Sequence, residues 1–131
     1  NTGNLAIRGS YNQLSDARFK ANVRTFGNAL DVLRRLRGVT FNWKPERNDN
    51  PNLQIGFIAQ EVETVLPEVV TTDMDGYKSV SYANIVPVLV EAIKQQQTQI
   101  EAQTRQINEQ ARQIEALRSA FCQANAQSAF L

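Results

Sequence analysis

Apolar residues recur every seven positions along the last third of the chain, at Val86, Ile93, Ile100, Ile107, Ile114 and Phe121, with no Gly or Pro after Pro87 to interrupt them. Such a ladder is the a-position signature of a coiled coil. Three residues after each of the first five stand Leu89, Gln96, Gln103, Gln110 and Leu117, so the d positions are apolar at both ends and glutamine through the middle. A helix with this stripe, left alone, exposes a row of isoleucines, and a globular core would want apolar d positions throughout. Parallel self-association fits both features: equivalent residues meet, Gln layers hydrogen-bond to one another, and registers that set Gln against Ile are penalised. Ile at a favours two or three strands without deciding between them, and the strict seven-residue period predicts a left-handed supercoil. Antiparallel packing onto a partner's helix is the alternative.

Upstream the pattern changes repeatedly. Phe19, Val23, Phe26, Leu30, Leu33 and Leu36 fall three or four apart, which predicts one helix with a buried face over residues 19–37, stopped by Gly38. Val39, Phe41 and Trp43 then alternate with Thr40 and Asn42 as in a half-buried strand, followed by a polar loop over residues 45–52. Residues 55–58 form a second candidate strand, and residues 60–66 a short helix ended by Pro67. Residues 69–71 and 79–82 flank an Asp75-Gly76 turn as a hairpin. Trp43 and residues 55–58 are expected in the core, Gln60, Glu61 and Glu63 on a solvated helix face, and Arg34, Arg35 and Arg37 in solvent or inter-subunit contacts. The fold class is therefore α+β: a small mixed domain with short strands and an N-terminal helix, then a long C-terminal helix in a parallel coiled coil. The expected divisions are residues 1–14, turn-rich and read as the end of an upstream structure; 15–84, the mixed domain; 85–121, the coiled-coil helix; and 122–131, a tail.

Composition mostly excludes. The net charge of +1 over 131 residues, with both signs interspersed, gives no footprint for nucleic acid. No apolar run approaches a membrane span, no signal peptide opens the chain, and Cys122 has no partner for an intrachain disulfide. The chain opens at Asn1 without a Met, as a piece of something longer does. No metal-ligand spacing, phosphate loop or cofactor motif is present. With no histidine, Ser-His-Asp and Cys-His chemistry is ruled out, and a nucleophilic serine must find another base. Lysine can serve where burial or a neighbouring cation favours its neutral form. Ser15 and Lys20 are five residues apart, about 140° round a helix axis, so they cannot share a helical face. Ser15 must precede a helix whose first turn curls Lys20 back, with Asp16 either capping that turn or orienting Lys20. Spacing alone makes this a weak signal.

Several motifs in order strengthen it: Ser-Asp-x-Arg-x-Lys from Ser15, Asn28-Ala29-Leu30, Gly38-Val39-Thr40-Phe41-Asn42-Trp43-Lys44, the run from Ile55 to Glu63, Leu66-Pro67-Glu68-Val69-Val70, and Tyr82 before a long helix. From Ser15 to about Lys94 this resembles the C-terminal intramolecular chaperone domains of phage endosialidases, tail spikes and neck appendages. The resemblance implies a homotrimeric assembly factor that aligns an upstream β-rich stalk of the same polypeptide and then releases itself, in a virion tail fibre or a cell-surface fibre. It implies a cut between Leu14 and Ser15, with Ser15 as nucleophile and Lys20 handling its proton; Arg18, near in sequence, is placed to help keep that lysine neutral by like-charge repulsion. A permanent, non-cleaving trimerisation module is the alternative.

Overall fold

The computed structural model describes residues 6–46 and 50–130, so parts of the expected stalk end, of the polar loop and of the tail lie outside the described residues. Among the described residues, two two-stranded antiparallel sheets and two short helices precede a long third helix, whose start packs against the first helix, which is the α+β class expected.

Helix α1 covers only Ala29–Arg35, with Asp31 in its first turn and Arg34 and Arg35 in its last, each complementing the helix dipole. The single helix expected over residues 19–37 does not form. A one-turn 3₁₀ helix, Ala17–Phe19, reaches only its first residue, and residues 20–28 form an arm with neither helix nor strand. Asn22 and Asn28 adopt left-handed backbone (φ 54° and 53°), which stops α-helix propagation, and Gly27 disfavours it further. Phe19 and Val23 consequently remain exposed, and packing begins at Phe26, Leu30, Leu33 and Leu36. The start of α1 is capped across the fold: Asn28 makes no side-chain cap, and the Leu30 N–H donates to Gln95 Oε1 of the third helix at 3.0 Å.

Strands β1, Val39–Phe41, and β2, Gln54–Gly56, pair with Thr40 opposite Ile55. That register turns Val39, Phe41, Gln54 and Gly56 inward and leaves Ile55 84% exposed, so Ile55 does not join the core as expected. Trp43 lies past the strand end, packed edge-on against Phe41 with ring centroids 5.1 Å apart, and is still 45% exposed rather than buried. Helix α2, Ala59–Glu63, is shorter than the expected 60–66 and buries Val62. Glu61 and Glu63 are not simply solvated: Arg37 Nε donates to Glu61 Oε2 at 3.1 Å, and Lys78 Nζ to Glu63 Oε1 at 2.8 Å. The Arg37 pair holds the Glu61 carboxyl below its usual range.

The hairpin of β3, Val70–Thr72, and β4, Lys78–Val80, is close to the expected one. Gly76 supplies a φ of 84°, and Asp73 Oδ1 accepts from the N–H groups of Asp75 and Tyr77. Tyr82 leaves the strand for a 3₁₀ turn and reaches back: its ring stacks on Phe57, and its hydroxyl accepts from the Phe57 N–H at 2.9 Å. That hydroxyl occupies the space a side chain at position 56 would need. Gly56→Ala is expected to displace Tyr82 and lower stability by about 1–3 kcal/mol in a denaturant titration; an unchanged midpoint would show that the ring yields freely.

Helix α3 runs Val86–Ser128, 43 residues, with Pro87 in its first turn where a missing N–H costs nothing. At about 1.5 Å per residue it is about 65 Å long. Its start closes the core of Ala29, Val62, Leu66, Val69, Ile85, Val88 and Ala92. From Gln96 onward every described residue is exposed. The helix also continues past residue 121, through most of the segment expected as a tail.

Candidate functional site

Ser15 lies outside any helix or strand, and Asp16, with φ −67° and ψ 133°, is extended and caps the 3₁₀ turn Ala17–Phe19. The turn is closed by Phe19 N–H to Asp16 O at 3.2 Å and Lys20 N–H to Ala17 O at 3.1 Å, after which the chain is extended again. One tight turn between two extended residues folds Lys20 back, and its Nζ lies 2.6 Å from Ser15 Oγ, donating to it. The expected helix with Lys20 in its first turn does not form: a 3₁₀ turn stands in its place, and Lys20 follows it in extended backbone. Leu14, Ser15 and Lys20 are all exposed.

Asp16 and Arg18 hold the turn together. Asp16 Oδ1 accepts from the Arg18 backbone N–H at 2.9 Å and from its Nε at 3.0 Å, and Oδ2 accepts from a terminal guanidinium nitrogen at 2.7 Å. The Arg18 guanidinium, followed by its backbone N–H, holds the Asp16 carboxyl below the usual carboxylate range, and Asp16 raises Arg18 in turn. Because the folded carboxyl titrates low, the clamp is present above the ordinary aspartate pKa and is lost only as pH falls through the lowered value. Of the two roles open to Asp16, the cap is the one observed. Arg18, expected to push on Lys20, is paired with Asp16. The Arg18 fork could have been anticipated from the acid two residues away; the Gln95 cap on α1 had no local signal.

The heptad residues Val86, Leu89, Ile93, Gln96, Ile100, Gln103, Ile107, Gln110, Ile114, Leu117 and Phe121 form a stripe on α3, with Ile93 and Ile107 each 63% exposed. Among the described residues, no group of three His, Cys, Asp or Glu is placed to hold a metal ion, and no helix is long and apolar enough to cross a membrane.

Comparison with known proteins matches the sequence of this chain to a family. Residues 15–71 match the family model described as the chaperone of endosialidase. The long tail fiber protein Gp37 of Salmonella phage S16 is 32% identical over 114 residues, covering 82% of this chain and 14% of the phage protein. Its counterpart in Enterobacteria phage T2 is 37% identical over 100 residues, covering 72% of this chain and 7% of that protein. The chain thus spans about a seventh or less of the length of these relatives. The match opens on the serine that Lys20 touches and extends to the first sheet residues of the hairpin, and over that stretch the chain belongs to the chaperone-of-endosialidase family.

Proposed function

We propose that this chain is the C-terminal intramolecular chaperone of a phage tail fibre: it associates as a parallel homotrimer through α3, aligns the upstream stalk, and then cuts itself free between Leu14 and Ser15. The observation that carries the cut is the 2.6 Å contact between Lys20 Nζ and Ser15 Oγ on a clamped turn, at the first residue of the family match. Tail fibre relatives support a fibre-assembly role in a virion. The exposed stripe supports trimerisation, since a helix of this length that leaves its isoleucines in water lacks the packing that normally stabilises helices. Three strands come from the family rather than from the heptads.

Ser15 Oγ attacks the Leu14 carbonyl carbon while its hydroxyl proton passes to a neutral Lys20 amine. The Leu14–Ser15 C–N bond then breaks, its nitrogen takes up a proton, and the acyl group rests on Oγ as an ester. Water hydrolyses the ester, leaving a carboxylate at Leu14 and a new amino terminus at Ser15. In the single chain Lys20 donates to the serine, and it must give up a proton of its own before it can accept the hydroxyl's.

The use of such a device follows from folding physics. Intertwined trimeric stalks have high contact order and no stable monomer, so three chains must be aligned before most contacts form. A C-terminal trimeriser raises their local concentration and fixes register. Removing it afterwards leaves the product kinetically trapped. The chain expressed with its upstream segment should run as two bands on a denaturing gel, the smaller beginning at Ser15 by N-terminal sequencing. A single uncut band from a trimer by light scattering would favour the non-cleaving module instead.

A further inference from the structure

The start of α3 presents an apolar surface wider than its heptad stripe. On one side, Val23, Thr25 and Phe26 of the arm join Val86, Pro87 and Val90 around an open groove of about 510 Å³, with the charged Arg24 and Glu91 also in its lining. On the other, Leu33, Leu36, Phe57, Tyr82, Ile85 and Leu89 line a second groove of about 330 Å³. Helix geometry separates the two: relative to Val86, Val90 lies at about +40°, Leu89 at about −60° and Ile85 at about −100°. The stripe of Val86, Leu89 and Ile93 runs between them.

In heptad terms Val90 is an e position and Ile85 a g position. Parallel coiled coils set the e side of one helix beside the g side of the next. Three copies related by rotation make a head-to-tail contact that closes, so the arm-side groove of each copy meets the opposite groove of its neighbour. Val23 is 76% exposed in a single chain, has no helix or strand of its own, and is three residues from Lys20. Continuity with the stripe, and the side on which each groove lies, commit the occupant to a second copy of this chain.

We propose that Val23 of each copy seats in the groove lined by Leu33, Leu36 and Phe57 of the next copy, and that this contact fixes the arm carrying Ser15 and Lys20. The proposal rests on the parallel trimer described above. It makes the arm the mechanical link between assembly and the cut: in a lone chain the dyad and the arm after it are open to water, and in the trimer the arm is pinned by a neighbour. Val23 is thereby a positioning residue, acting through the backbone it anchors.

Crosslinking tests it. In a Cys122→Ser background, Val23→Cys combined with Leu36→Cys, treated with oxidised glutathione, should give covalent trimers on a non-reducing gel, and each single variant only monomers. A link within one chain would leave the band at monomer mass, so only a contact between copies yields covalent trimers. Should Leu36→Cys fold poorly, Leu33→Cys offers a second pairing with Val23→Cys. Trimeric mass by light scattering without covalent trimers from either pair would overturn the contact while leaving the trimer standing; a monomeric mass would overturn both. Val23→Asp, assayed on the chain with its upstream segment, should slow the cut at least tenfold with trimeric mass retained, and an unchanged rate would overturn the coupling of this contact to the dyad.

Discussion

Ser15→Ala is expected to leave the upstream segment fully attached, because it removes the atom that forms the new bond. Lys20→Ala should slow the cut by about 10²–10⁴-fold, the usual contribution of a positioned general base. Lys20→Arg separates two roles that alanine cannot. A guanidinium preserves the positive charge and much of the reach but does not give up its proton, so a base is lost while an electrostatic partner is retained. The Arg variant should therefore be as slow as the Ala variant, and recovery to near wild-type rate would show that Lys20 acts as a charge alone. Ser15→Cys should retain slow cleavage, since a thiol needs less help to ionise than a hydroxyl. All four can be read as band ratios over time on a denaturing gel, with circular dichroism to confirm that α3 is intact. The turn itself should survive each change, because it is held by the three bonds from Arg18 to Asp16 and not by the Lys20 contact.

The second large effect concerns the stripe. Burying an isoleucine contributes about 1.5–3 kcal/mol, and a trimer buries three per layer. Ile100→Asp with Ile107→Asp removes two layers and replaces them with six carboxylates per trimer that cannot be desolvated without partners. The mass by light scattering should fall from trimer to monomer, and the Ser15 cut should disappear with it although both dyad residues are untouched. A monomer that still cuts at full rate would show that the dyad needs no neighbour. The Gln layers provide the opposite change. Gln96→Leu, Gln103→Leu and Gln110→Leu together should raise the melting temperature while broadening the distribution of strand numbers or registers, because polar layers trade stability for a unique alignment. Unchanged stability would mean that these positions are not buried.

Segments in which pattern and local chemistry agree were legible in advance. The heptad run is helical throughout, since nothing in it breaks a helix and every position suits one. The Asp75-Gly76 turn formed where its glycine and the Asp73 side chain require it. At the candidate site, the cap at Asp16 and the return of Lys20 to Ser15 follow from six consecutive residues, so a local reading reached them. The helix expected over residues 19–37 failed because spacing counts only apolar positions. It is blind to Asn22 and Asn28, whose left-handed backbone converts its first half into an arm. Ile55 and Trp43 failed for a different reason: hydrophobicity suggests burial, whereas the strand register and strand length decide which face a residue occupies.

By itself, then, the order of residues determined the heptad stripe, the absence of any histidine-based chemistry, and the short turn that joins serine to lysine, because each depends on contacts or periodicities within a few residues. The tertiary structure alone decided that Gln95 caps α1 across 65 residues of sequence, that the Tyr82 hydroxyl fills the space above Gly56, and that the arm bearing the dyad runs beside the start of the α3 stripe. Those arrangements join segments far apart in the chain. They arise when distant elements pack together to remove apolar surface from water and satisfy polar groups, so no short stretch of sequence specifies them.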